Sequence, residues 1–501
     1  MEGSVMSAGA AILVIVVAYV YHRYGRNAPF LPGLPFPAGL HRPFVGVAVE
    51  MSTLEGMTRL FVDAADANGM VSFRLLSQPS VAVTRADHVR QVYMATTNRG
   101  PTPIIDMHMQ AFLGDRSVSL LMRDEWKLHR RLVSRAFQWQ NLAAMVPAMA
   151  SIAETFTNVW RGAATPSIDV FPLLKRLALD TIGRTGFGYD MGALRDAANP
   201  MASALDFLVN EINRRCLEQP LHPSSHLYWL PTRTNRRHAE AVSTVRTTLH
   251  SIIQARMMSH ATSSLRHHDL LEAMLEAASA DNSPMDAKTL ADNVVTFFFA
   301  GSDTTSSAMA YTLFLLATHR DVQAKAVAEI DKVVGQSSPI TYEAMQQLPY
   351  VSAVLTEALR LYAPAPFTYR HADSDLVLGD HVVPAGTLLA LPMWFINRSP
   401  LNWGDDAAEF KPERHLAADC DRFAAKDRAY RFVSFSGGPR NCVGMRFAQL
   451  EATVLLTTIL RQCIVTRPSD APSVEPTAVG ISITPEGGMW LSLTPRAAVS
   501  A

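Results

Sequence analysis

The longest helix-patterned stretch of the chain constrains everything around it. From Asp286 to about His319 the sequence reads as one apolar helix of 34 residues, roughly 50 Å at 1.5 Å per residue. Few globular helices reach that length, so it has to cross the core. Its middle reads Ala300-Gly301-Ser302-Asp303-Thr304-Thr305. An acid and two threonines inside an apolar helix are costly unless they are hydrogen-bonded or useful. Ala300 and Gly301 let a flat group approach closely. Thr304 can bond back to the carbonyl four residues earlier and open a local groove, and Asp303 can relay protons from solvent.

A second stretch supplies what such a helix could cover. Phe435-Ser-Gly-Gly-Pro-Arg-Asn-Cys442-Val-Gly444 places a cysteine in a Gly/Pro-rich loop, directly before the helix-patterned run Val443 to Leu460. A Cys442 thiolate would sit at a helix N-terminus, where the dipole and free N–H groups favour an anion. Gly437 and Gly438 let the loop bend and approach a flat ligand. Gly444 leaves room beneath whatever Cys442 binds, and Arg440 can pair with a carboxylate on the same ligand. Sulfur for iron and guanidinium for propionate suit haem.

The pattern Phe-x-x-Gly-x-Arg-x-Cys-x-Gly (Phe435, Gly438, Arg440, Cys442, Gly444) resembles the haem loop of cytochromes P450. The resemblance implies a mainly α fold with small β-sheets and a long central helix over a thiolate-ligated haem. Cys442 would be the axial iron ligand and Phe435 its neighbour. The Ala300–Thr305 segment resembles the oxygen-activation segment of that family, with Asp303 and Thr304 as the catalytic pair. Trp126 and Arg130, spaced i, i+4 on one helical face, resemble its propionate-binding pair, and Arg370 matches a further propionate position. Glu357-Ala-Leu-Arg360 and Phe410-Lys-Pro-Glu-Arg414 resemble the Glu-Arg-Arg network that locks the fold around the haem loop. Position 415 is His where Phe is more usual.

The remainder of the chain bounds the setting. It has 501 residues, 48% hydrophobic and 18% charged, with formal net charge zero, so a nucleic-acid partner is not expected. Cys216, Cys420, Cys442 and Cys463 form no close-spaced framework, which argues against disulfides and structural zinc. Val5 to Tyr21 is a charge-free run of 17 residues followed by His22, Arg23 and Arg26. It reads as a single-pass anchor within residues 1–28, with the body in the cytosol. Pro29, Pro32, Pro35 and Pro37 make residues 29–39 a stiff hinge, and residues 40–501 a single catalytic domain. Anchor plus hinge resembles the endoplasmic-reticulum members of the family.

Local patterns add smaller expectations. Glu55 to Asn68 and Asp87 to Ala95 read as helices around a small sheet. Gly100 to Leu120 reads as an irregular apolar loop capping a pocket, and residues 145–280 as mostly helical. Between Pro220 and Pro231, Leu227-Tyr-Trp-Leu230 is either an interfacial tip or a loop folded onto the body. Arg123, Lys127 and Arg131 either face a redox partner or are simply solvated. Asn397-Arg-Ser399 is not expected to be glycosylated. The C-terminal run around Glu486-Gly-Gly reads as a hairpin whose tip nears the pocket.

The resemblance implies a monooxygenase that draws on haem b and on NADPH through a separate reductase, with cytochrome b5 as a further donor. The pocket candidates Ile104, Ile105, Met107, Phe297, Phe298 and Phe367 favour a lipophilic substrate such as a terpenoid, sterol, polyketide or fatty acid. An isomerase or dehydratase on the same scaffold and a non-catalytic haem protein are the alternatives.

Overall fold

The central helix forms as its sequence dictates. In the computed structural model it runs Ala287–Thr318, 32 residues, capped by Asp286, whose carboxylate accepts the Thr289 N–H at 2.7 Å. Side chains on all sides of it are buried. It packs on helices Phe171–Thr181, Arg233–Thr262 and Pro349–Leu361, which enclose it as its length requires. The structure describes residues 29–496, apart from breaks at 43–45, 77, 97–98, 100–102, 216–227, 263–268, 280–284, 337, 417–424 and 480–481. The expected anchor at 5–21 lies outside the described residues. Among those described, no helix is long and apolar enough to cross a membrane.

The cysteine loop is held from below. Helix Met445–Gln462 begins just after Gly444 and packs against Trp139–Arg161 and Pro349–Leu361. A four-stranded sheet closes one side. Strand β1 (Met70–Leu75) pairs antiparallel with β2 (Gln78–Val83), and β2 runs parallel to β7 (Leu388–Leu391). β7 in turn pairs antiparallel with β4 (Thr368–His371), setting Arg370 opposite Leu389. A hairpin of β5 (Leu376–Leu378) and β6 (His381–Val383) turns at Gly379-Asp380. Helix Ala86–Ala95 covers the sheet and delivers Tyr93 to the cysteine loop.

Three expectations need correction. The expected helix over 55–68 is shorter: Leu54–Thr58 passes into a wider turn that ends at Asp63. The expected irregular loop over 100–120 contains a helix, Pro103–Leu113. Proline is at home at the first helical position, where its missing N–H costs nothing. The expected C-terminal hairpin does not pair with itself. Strand β10 (Ser482–Glu486) pairs with β9 (Glu475–Val479), whereas β11 (Trp490–Pro495) pairs with β3 (Ser167–Asp169) and β8 (Cys463–Thr466). Gly487 and Gly488 have φ of +75° and +86°, and a Cβ on Gly488 would come within 2.7 Å of the Asp169 carboxylate. The turn therefore redirects the chain into another sheet.

Of the Pro220–Pro231 segment, Leu227 lies outside the described residues. Tyr228 folds inward, stacked on His238 at 4.3 Å. Trp229 is 74% exposed. Asn397 is fully buried; its amide bonds Ser434 Oγ at 2.7 Å and accepts the Val433 N–H at 2.8 Å. A glycan there would have to displace that packing.

Candidate active site

The cysteine loop and the central helix face each other across one cavity of about 440 Å³. From the helix come Thr296, Phe297, Ala300, Gly301, Thr304 and Thr305; from the loop come Phe435, Ser436, Arg440, Asn441, Cys442 and Gly444. This is the pairing the sequence implied. Thr304 Oγ1 donates to the Ala300 carbonyl at 2.8 Å, the expected bond back along the helix. Its lone pairs are left beside the cavity.

Cys442 is anchored by its own N–H, which donates to Phe435 O at 2.8 Å. Its side chain opens onto the cavity. Burial among protein atoms pushes the thiol pKa up, opposed by the Gly444 N–H and by Arg130. A bound cation would reverse that preference, since a coordinated thiol loses its proton. Gly438 has φ +65°, and a Cβ there would stand 2.8 Å from Tyr93 O, so only glycine makes this turn. A Cβ on Gly444 would meet Cys442 Sγ only at 4.0 Å, consistent with room around the sulfur.

Four guanidinium groups reach the cavity wall: Arg99, Arg130, Arg370 and Arg440. No Asp or Glu is among the described residues lining it. Arg440 lies over the Trp126 ring, 4.0 Å from its centroid. Burial and the charges of Arg370, Arg99 and Arg130 pull its pKa down to about 9. Arg130 donates to Asn441 Oδ1 at 2.8 Å. Arg370, 2% exposed, donates to Ser436 Oγ at 3.1 Å and stacks on Tyr93. A cationic rim without a lining carboxylate, around a sulfur in a largely apolar cavity, fits a flat dianion with a central metal. Haem has that form.

The clamp behind the loop is complete. Glu357 and Arg360 are both fully buried, with Arg360 Nε and Nη2 donating to the carboxylate at 2.7 and 2.8 Å. Arg414 Nε donates at 2.8 Å and the Lys411 N–H at 3.0 Å. His415 Nε2 stands 2.8 Å from Glu357 Oε2. The unusual residue noted at 415 is thus a further partner of the carboxylate. Burial alone would raise the Glu357 pKa; hydrogen bonds from Arg360 and His415, with the Arg360 charge, instead hold it at about 2.

Not every expected residue reaches the cavity. Asp303 is 6% exposed and absent from the wall. Burial pushes its carboxyl pKa up, eased by Lys175 and Ser482 on the far side of the helix. Phe297 and Phe367 line the cavity, but Phe298 instead stacks on Phe187 at 4.4 Å. Nothing is described of the Ile104, Ile105 and Met107 side chains. Arg99 lines the wall without any local motif that could have announced it, whereas Asn441 holds a variable position of the cysteine loop and Ser119 falls in the 100–120 stretch expected to cap a pocket. Lys127, a candidate partner-facing cation, pairs with Asp124 at 2.9 Å.

Residues 36–491 match the family model described as Cytochrome P450. The chain is 31% identical over 403 residues to Cytochrome P450 CYP72A613 of Trigonella foenum-graecum, covering 76% of this chain and 73% of that protein. It is 32% identical over 346 residues to Cytochrome P450 72A552 of Barbarea vulgaris. It is 31% identical over 351 residues to a Glycyrrhiza uralensis protein named 11-oxo-beta-amyrin 30-oxidase. In the last two comparisons the match covers 68% of this chain and 65% of the relative, just under two thirds of its length.

Proposed function

The chain belongs to the cytochrome P450 family and is an oxidoreductase of that monooxygenase class, and on that premise we propose what it does. It inserts one atom of dioxygen into a lipophilic organic substrate, with haem b on Cys442 and electrons from NADPH through a separate reductase. Cytochrome b5 is a second candidate donor. The observation that carries this reading is Cys442 opening onto a cavity that four arginines and the Thr304 turn share. The terpenoid class is favoured among lipophilic substrates by the name of the Glycyrrhiza relative. The segment 5–21 anchors the chain in the endoplasmic-reticulum membrane, with the catalytic domain on the cytosolic side.

Haem, when bound, supplies the oxygen and one-electron chemistry. The chain's own residues do the rest. Cys442 would offer its sulfur to the iron, while Gly438 turns the loop tightly against Tyr93 and Gly444 leaves room beside the sulfur. Arg130, Arg370 and Arg440, with the Trp126 indole N–H, would hold its carboxylates. Phe297 and Phe367 keep water from the reacting carbon. Thr304, its proton committed to the Ala300 carbonyl, presents lone pairs that position a hydrogen-bond donor beside the helix. Asp303 stands on the same turn, where burial raises its carboxyl pKa and so eases its taking up a proton.

The test is turnover of reconstituted enzyme with reductase, NADPH and isotopically labelled dioxygen. One labelled oxygen in the product is expected. Substrate conversion without NADPH, or unlabelled product, would point to an isomerase or hydrolytic reaction. Thr304→Ala is expected to retain haem and to divert NADPH electrons into free hydrogen peroxide; full coupling of NADPH to product would count against the role of Thr304.

A further inference from the structure

The helix that follows the cysteine loop, Met445–Gln462, carries a single acid, and the chemistry described above leaves it unused. Glu451 is 3% exposed, and among the described residues neither of its carboxyl oxygens has a hydrogen-bond partner. No described charged group acts on it; burial and the hydroxyl of Thr181 are what bear on its acidity. Charged side chains of the surrounding elements are engaged elsewhere. Glu154 pairs with Arg461 at 2.8 Å, and Glu357 pairs with Arg360 at 2.7 Å. Asp180 accepts the N–H groups of Ala193 and Leu194, and Asp303 lies beside Lys175 and Ser482.

A carboxylate in that place has neither a donor nor a cation, which is costly. Thr181 could ease it only by donating, and the Thr181 hydroxyl proton goes to the Leu177 carbonyl at 2.9 Å. The lone pairs of Thr181 Oγ1 remain. They repel a carboxylate and accept from a carboxylic acid. The surroundings therefore fit the acid and reject the anion, and burial pushes the Glu451 pKa up to about 8. Thr181 is also a junction. Helix Phe171–Thr181 ends there and the wider turn Ile182–Gly186 begins, tied back by Thr185 Oγ1 donating to Thr181 O at 2.6 Å. Ile182 lines the cavity and packs on Gly301, where an added Cβ would stand 3.3 Å from the isoleucine side chain. Gly301 lies on the turn of the central helix that carries Thr304.

We propose that Glu451 is a positioning residue: as the uncharged acid it donates to Thr181 and so holds Ile182 against Gly301 on the cavity wall. The role reaches beyond the monooxygenase reading, because it concerns the shape of the cavity and not the reaction within it. Ionisation removes the donor and sets a charge against lone pairs, so the junction parts. The sign is defined. The folded-state pKa lies above the ordinary 4.5, so the stabilisation is whole below about pH 4.5 and is lost as pH rises toward 8.

The test is denaturant unfolding of the holoprotein from about pH 5 to 9, followed by far-ultraviolet circular dichroism. The carbon monoxide spectrum of the reduced protein is recorded at each pH. Glu451→Gln keeps the shape and offers Thr181 an N–H that carries no charge. Between about pH 5 and 8 the folded-to-unfolded ratio of the wild type is expected to fall at least about tenfold more than that of Glu451→Gln. The thiolate-type band is expected to persist to higher pH in Glu451→Gln than in the wild type. Thr181→Val removes the acceptor, so the acid is less favoured and the fall is expected to shrink. In an Ile182→Ala background, Glu451→Gln is expected to extend the pH range of the band far less, because the side chain it acts through is gone. Parallel pH profiles for wild type and Glu451→Gln overturn the proposal. So does a Glu451→Gln variant that cannot hold haem, or an undiminished extension without Ile182. A wild type that lacks the thiolate-type band at every pH strikes the monooxygenase reading instead, and the unfolding comparison still decides the role of Glu451.

Discussion

Two clusters of arginine stand on either side of the cysteine loop, and they differ in what balances them. Behind the loop, Arg360 and Arg414 close on Glu357, whose carboxylate has five hydrogen bonds from four residues of the chain. The spare protons of Arg360 reach the carbonyls of Asn397, Ala407 and Glu409. In front of the loop, Arg99, Arg130, Arg370 and Arg440 share a wall with no acid among its described residues. The pKa of Glu357 is held at about 2 and that of Arg440 falls to about 9. One cluster is electrically finished by folding. The other faces a cavity in which an anion would balance it. Buried charge alone therefore does not mark a functional site; buried charge of one sign facing a cavity does.

The sharpest way to break this comparison is Glu357→Ala. It leaves Arg360 buried without its counter-charge, and is expected to cost about 3–5 kcal/mol in denaturant unfolding. The pH dependence has a defined sign. Glu357 has its pKa depressed from 4.5 to about 2, so its stabilisation is whole above about pH 4.5 and is lost as pH falls toward 2. Glu357→Gln is expected to flatten that acid limb in unfolding measurements. An unaltered limb would show that other carboxylates set it.

Next in size is Arg440→Leu. Here the comparison predicts opposite effects on the two forms of the protein. The haem-free protein should melt no lower than wild type, because a repelled cation is removed. The holoprotein should lose haem about tenfold or more faster to a scavenging apoprotein, as expected for one charge-assisted hydrogen bond. If the haem-free Arg440→Leu variant is destabilised as much as Glu357→Ala, the two clusters are alike and the comparison fails. The smallest effect belongs to His415→Phe. It removes one of the five hydrogen bonds of Glu357 and leaves both arginines, so about 1 kcal/mol of stability is expected to go, with no change in the haem spectrum. A loss as large as that of Glu357→Ala would make His415 an equal member of the clamp.

What the sequence made legible was local. The central helix was read to within a residue at each end because its cap, Asp286, and its length are both sequence properties. The cysteine loop was readable because Gly438, Pro439 and Cys442 each impose their conformation or chemistry over a few residues. Glu357 and Arg360 share a helical face, and Arg414 followed from the resemblance. What stayed hidden depends on contacts across the chain. Strand β11 joins β3 across more than three hundred residues, and nothing in the Gly487-Gly488 turn names that partner. Arg99 and Ser119 belong to the cavity only because their segments are laid over the central helix. Asp303 shows a different limit of the motif: helical geometry turns neighbouring side chains to different faces, so Thr304 meets the cavity and Asp303 does not.

The central claim is that Cys442 sulfur is the iron ligand in this cavity. The direct measurement is the absorption spectrum of the reduced, carbon monoxide-bound holoprotein, wild type beside Cys442→Ala. The wild type is expected to show the long-wavelength band of a thiolate opposite carbon monoxide, and the variant to lose it. The same band, undiminished, in Cys442→Ala would contradict the assignment.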